Sequence, residues 1–141
     1  MKKFFILLLI LILLPSCYAQ TVQFGSYYQT YEIDGHKSPI TWIILDETND
    51  AVLLLSKYCL DAHSFGNFQT GCTWRTSAIR AFLSEEFLME AFTEQEQNAI
   101  LTTEVYTITN STYPTVGDTY HTKDKLFLLS IEEVEHYLPN D

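Results

Sequence analysis

Two apolar runs separated by a polar tetrad constrain this chain more than any other feature. Ile40-Thr41-Trp42-Ile43-Ile44-Leu45-Asp46 is rich in β-branched residues and follows Pro39. After Glu47-Thr48-Asn49-Asp50, the stretch Ala51 to Tyr58 turns apolar again. Runs of this kind bounded by turn residues read as strands, so the pair predicts a β-hairpin. Val52-Leu53-Leu54-Leu55 is so continuous that the second strand is expected to be covered on both faces. Upstream, Val22 to Tyr31 carries Phe24, Tyr27 and Tyr31 around Gly25 and predicts a short aromatic strand.

Helical signals follow a small, polar loop over residues 61–73. From Ser77 to Phe92 the apolar residues Ile79, Phe82, Leu83, Phe87 and Ala91 recur at three- and four-residue spacing, mostly apart from Arg80, Ser84, Glu85 and Glu90. Thr93 and Glu96 form a capping box, in which the hydroxyl accepts from the Glu96 backbone while the carboxylate reaches back. A second helix is expected from Glu94 to Leu101. Thr102 to Thr109 reads as extended, residues 110–125 as an irregular excursion, and Leu126-Phe127-Leu128-Leu129 as a buried strand. Ser130 and Glu133 repeat the capping box and open a helix that Pro139 ends. With no repeat or linker in view, residues 20–141 are expected to form one α+β domain: N-terminal antiparallel strands, then helices.

Residues 1–19 read as an address. Lys2 and Lys3 precede an unbroken apolar run from Phe4 to Leu14, 11 residues long. A membrane-spanning helix needs about 20 apolar residues, whereas a signal-peptide core has the length seen here. Cys17-Tyr18-Ala19 resembles the small-x-small pattern before a signal-peptidase cut, leaving Gln20 first. Leu14-Pro15-Ser16-Cys17 resembles a bacterial lipobox, with Cys17 as the lipid-attachment site and Pro15 an unusual member. Both routes stay open; each exports the protein, to be secreted, periplasmic or lipid-anchored at the cell surface.

Export bears on the cysteines. Cys17 is cut away or lipidated, and Cys59 and Cys72 remain in a compartment that permits oxidation. A bridge between them would close a loop of thirteen residues and stabilise the fold by about 3 kcal/mol on the chain-entropy view; two free thiols are the alternative. Cys59, His63 and Cys72 match no familiar zinc spacing and lack a fourth ligand nearby, so no metal is expected.

Charge excludes further classes. The chain has 18 acidic and 8 basic side chains, a balance of −10. Without Lys2 and Lys3 the mature domain has six basic against 18 acidic residues, or −12 over 122 residues. Such a surface repels nucleic acid and anionic headgroups, so membrane association is expected only through a lipid anchor.

Reactive constellations are scarce. There is no Gly-rich phosphate loop, no His-Glu-x-x-His and no serine elbow. The four histidines, His36, His63, His121 and His136, are scattered and read as solvated. Glu85 and Glu86, Glu94 and Glu96, and Glu132, Glu133 and Glu135 read as acids at helix starts, where they complement the dipole. No catalytic residue and no cofactor is expected. Trp42 and Trp74 are expected in the core, and Arg75 and Arg80 are expected to pair with buried acids. Tyr27, Tyr28 and Tyr31 cannot all face inward from one strand, so this group is the candidate exposed aromatic surface, suited to a protein or carbohydrate ligand.

Taken in order, several segments resemble an uncharacterised bacterial family, domain of unknown function six-two-seven-three. They are Phe24-Gly25-Ser26-Tyr27-Tyr28-Gln29, Ile40 to Asp46, Leu53-Leu54-Leu55-Ser56-Lys57-Tyr58, and Thr73-Trp74 through Ser77 with Ile79-Arg80 and Phe82-Leu83. Phe87-Leu88, Ala91-Phe92-Thr93, Glu96-Gln97, Ile100-Leu101-Thr102-Thr103 and Asp124 to Glu133 continue the likeness. The resemblance implies an exported or surface-associated bacterial protein. It also implies kinship with the fold shared by C-type-lectin-like domains and the formylglycine-generating-enzyme group. Family members run on into a half with a Trp-Leu-Arg-Ser type segment and a closing Gly-Val-Arg-Pro-Ala type strand. This chain stops at Asp141, before both, so a truncated domain with an incomplete version of that fold is expected. No residue matches the catalytic positions of the formylglycine-generating enzymes.

The sequence therefore predicts an exported, non-catalytic binding or interaction module of unknown ligand. The alternatives are an enzyme-derived domain of the formylglycine-generating type, active or degenerate, and a truncated remnant.

Overall fold

The hairpin forms around a turn that its own side chains hold. Thr48 N–H donates to the Ala51 carbonyl at 2.8 Å, and Thr48 Oγ1 accepts from Ala51 N–H at 3.1 Å. On either side lie β2 (Ser38–Glu47) and β3 (Val52–Ser56), paired antiparallel from Trp42↔Ser56 to Glu47↔Val52 with a bulge between Ile44 and Asp46. β1 (Thr21–Tyr27) pairs antiparallel with the other side of β2, giving the order β1-β2-β3. The computed structural model describes residues 20–29, 35–66, 72–107 and 120–138. Pro39 lies inside β2, beyond the last β3 pair, so its missing N–H removes no hydrogen bond from that ladder.

A bulge in β1 between Gln23 and Ser26 frees two backbone groups, and both find distant partners. The Phe24 carbonyl accepts from the Trp42 indole at 2.7 Å, and Gly25 N–H donates to Glu96 Oε1 at 3.1 Å. Gly25 has φ +68°, a conformation that suits glycine. The bulge also shifts the alternation of β1, so that Val22, Phe24 and Tyr27 all pack on the core.

Helical structure runs from α1 (Ala78–Phe82) through a π-helical turn (Leu83–Phe87) into α2 (Leu88–Ala91). Ser77 caps it, its hydroxyl accepting from Arg80 N–H at 3.2 Å. In a regular α-helix, residues five apart point about 140° away from each other. The wider π turn brings Phe82 and Phe87 to one side, with ring centroids 5.9 Å apart and both buried. These rings, with Tyr27, Ile40, Trp42, Ala91 and Phe92, make the core between the sheet and the helix. α3 (Glu94–Ala99) and α4 (Ile131–Tyr137) each begin with a complete capping box, Thr93 with Glu96 and Ser130 with Glu133. Both agree with the pattern read from sequence.

β4 (Thr103–Thr107) and β5 (Tyr120–Asp124) form a second, two-stranded antiparallel sheet. The architecture is α+β, N-terminal strands followed by helices, as expected.

Three local expectations are corrected. Residues 120–124 lie within the stretch read as irregular, yet they form β5. Leu126 to Leu129 is not a strand: no ladder forms there, Leu128 is exposed and the other three are half-buried. β3 is not covered on both faces, because Val52 is 47% exposed and Leu53, Leu54 and Leu55 are half-buried. The last two share a cause. Both segments face an open cleft.

Candidate functional site: an open apolar cleft

The cleft, about 1080 Å³ in volume, lies along β3 and is bounded by Ile79 and Leu83 of the helix, Ile100 and Leu101 after α3, and the segment from Leu126 to Leu138. α4 contributes Val134, and its C-cap residue Leu138 continues the apolar stripe of this amphipathic helix. That stripe is unpartnered: Ile131, Val134 and Leu138 remain 62%, 41% and 43% exposed.

At its mouth, the segment 59–65 carries a thiol, a carboxylate and an imidazole. Tyr27 Oη donates to Asp61 Oδ2 at 2.7 Å, which fastens the segment to β1. His63 stacks on Phe82 with centroids 3.5 Å apart, and its Nε2 lies 3.7 Å from the Asp61 carboxylate. Phe65 supplies a carbonyl to Ala78 N–H. Burial, and then the hydrogen bond to Asp61, push the Tyr27 phenol well above its usual range. The same hydrogen bond draws the Asp61 carboxyl below the usual carboxylate range, against the opposing effect of its partial burial. Cys59 Sγ contacts the Asp61 carbonyl at 3.4 Å.

Elsewhere, Asp124 organises a buried polar clamp. Asp124 Oδ2 accepts from the Trp74 indole at 2.9 Å and from the Thr122 hydroxyl at 2.6 Å, while Oδ1 accepts from Arg80 Nε at 2.8 Å. Asp124 and Thr122 are buried, as is Trp74. Arg80 thus pairs with a buried acid, as its sequence context predicts. Trp74 and Trp42 are both interior, although Trp74 sits in this polar clamp and not in the apolar core.

The candidate residues from sequence fall in different places. Cys17 and Tyr31 lie outside the described residues, as does the N-terminal segment 1–19. Tyr27 is buried at 6% exposure and does not belong to an exposed aromatic surface, because the β1 bulge turns it onto Phe87, 4.7 Å away. Tyr28 is exposed, with Lys37 Nζ over its ring at 5.3 Å. Cys59 and Cys72 are both free thiols in the structure, Cys59 exposed and Cys72 half-buried with its Sγ packed against Gly66. His36, His121 and His136 are exposed. Glu85 and Glu86 lie in the π turn, within a continuous helical stretch and not at its start. Glu94, Glu96, Glu132 and Glu133 do occupy first turns. Glu96 is drawn below its usual range, first by the Thr93 backbone N–H, then by the Thr93 hydroxyl, with Gly25 N–H adding to both.

Among the described residues, no group of three or more His, Cys, Asp or Glu is placed to hold a metal ion, and no helix is long and apolar enough to cross a membrane.

Fold and site together define a small α+β protein with a buried polar clamp and an open apolar cleft. A model of the family described as Domain of unknown function (DUF6273) matches residues 49–140, and the chain belongs to that family. The match takes in β3, every helix, the second sheet and most of the cleft wall. No curated protein and no solved structure matches the chain.

Proposed function

We propose that the protein is an exported, non-catalytic binding module, secreted, periplasmic or lipid-anchored at the bacterial surface, and that the apolar cleft is its recognition surface. One observation carries the reading. Val52, Leu101, Leu128, Val134 and Leu138 all line the cleft and are 47%, 59%, 49%, 41% and 43% exposed. Contiguous apolar exposure on a small domain marks an interaction surface. Covering what remains exposed of such a side chain contributes about 1 kcal/mol each.

The groups at the mouth favour binding over chemistry. An activated thiol needs a base within hydrogen-bond reach, and Cys59 instead meets a backbone carbonyl. The Asp61 carboxylate is occupied by Tyr27. The cleft's Phe and Trp side chains are buried or half-buried and its exposed apolar side chains are aliphatic, an arrangement that suits a polypeptide better than a sugar, which stacks on open aromatic faces. The C-type-lectin-like kinship belongs to the same reading.

Two measurements test it. Mass spectrometry of the protein recovered from the extracytoplasmic fraction is expected to find a start at Gln20 or a lipidated Cys17; an intact Met1 start in the cytosol overturns export. A neutral solvatochromic dye is expected to bind the purified protein. Leu101→Gln with Val134→Gln should weaken that binding about tenfold, while Met89→Gln, exposed and off the cleft, leaves it unchanged. Equal dye binding by all three proteins overturns the assignment of the cleft.

A further inference from the structure

We draw no further inference here: the strongest candidate, the apolar edge of β3 along the open cleft, is unpartnered among the described residues, and nothing in the structure shows what covers it.

Discussion

The Trp74 indole donates to Asp124 Oδ2 at 2.9 Å, across fifty positions of sequence. Through that carboxylate, the turn that opens the helix is fastened to the last residue of β5, and Arg80 closes the arrangement from α1. Truncating Asp124 to alanine leaves the guanidinium without its carboxylate, with only the Arg75 carbonyl as acceptor, and leaves the indole N–H with Thr122 alone. Breaking a buried pair this way costs about 3–5 kcal/mol; because the Arg80 side chain keeps 27% of its exposure, a value near the lower figure is expected. Asp124→Asn retains an acceptor and should lose less. Urea unfolding followed by tryptophan fluorescence measures both, and a loss below about 1 kcal/mol for the alanine variant would show that the clamp is incidental.

Gly25 and Gly35 provide a matched pair. Both have positive φ, +68° and +60°. A Cβ at Gly25 would lie 2.6 Å from the Phe92 ring and 2.8 Å from the Ala91 carbonyl, whereas at Gly35 it meets nothing within 4 Å. Gly35→Ala is expected to lose only the backbone preference, about 1–2 kcal/mol. Gly25→Ala adds the displacement of a core ring and strain on the Glu96 hydrogen bond, a further 1–3 kcal/mol or so. Equal losses at the two positions in urea unfolding would refute the close approach of β1 to Phe92.

Legibility in the sequence followed the range of the interactions. The hairpin, the two capping boxes and the helix after Ser77 are local, each decided by residues within a few positions, and all are present. β5 was missed because its inward side chains, Thr122 and Asp124, are polar; strand recognition looks for apolar alternation, and the usable signal was a polar one with period two. Leu126 to Leu129 misled in the opposite way, since an apolar run reports a wish for burial and not the presence of a pairing strand. Tyr27 turned inward because of a bulge, which shifts alternation by one residue and leaves only Gly25 as a trace. The cleft itself was not legible, since it is assembled from β3, α3, α4 and the segment between β5 and α4.

Acid and alkali should each weaken the fold through the tie between Tyr27 and Asp61. Asp61 titrates lower in the folded state than its ordinary value near 3.9, so its contribution is present above that pH and is lost as pH falls below it. Glu96 acts in the same direction. Tyr27 titrates above the ordinary phenol value near 10, so its contribution is complete below that pH and is lost as pH rises past it. Tyr27→Phe removes the phenol and, with it, the hydrogen bond that lowers Asp61. It is expected to lower stability near neutral pH by about 1 kcal/mol, to flatten the alkaline decline above pH ~10 and to reduce the acid decline below pH ~4. Unfolding midpoints across the pH range decide; unchanged slopes in the variant would remove Tyr27 as the source.

Exposure orders the chemistry of the two cysteines. With both thiols free, Cys59 is open to solvent while Cys72 is half-buried against Gly66 and directs its Sγ to the Phe65 carbonyl at 3.7 Å. A soluble maleimide should therefore modify Cys59 first, and Cys72→Ser should leave the fast phase intact while Cys59→Ser abolishes it. If oxidation after export joins the pair, both sites become silent until a reductant is added. The bridge then restricts the unfolded chain across the segment that carries Asp61 and His63, and the oxidised protein should be more stable than the reduced one by about 3 kcal/mol. Because Cys72 must leave its contact with Gly66 to reach Cys59, part of that gain is expected to be spent on rearranging the mouth of the cleft. A smaller stability gain accompanied by altered dye binding is the signature of that rearrangement, whereas the full gain with unchanged dye binding would show that the segment accommodates the bridge as it stands.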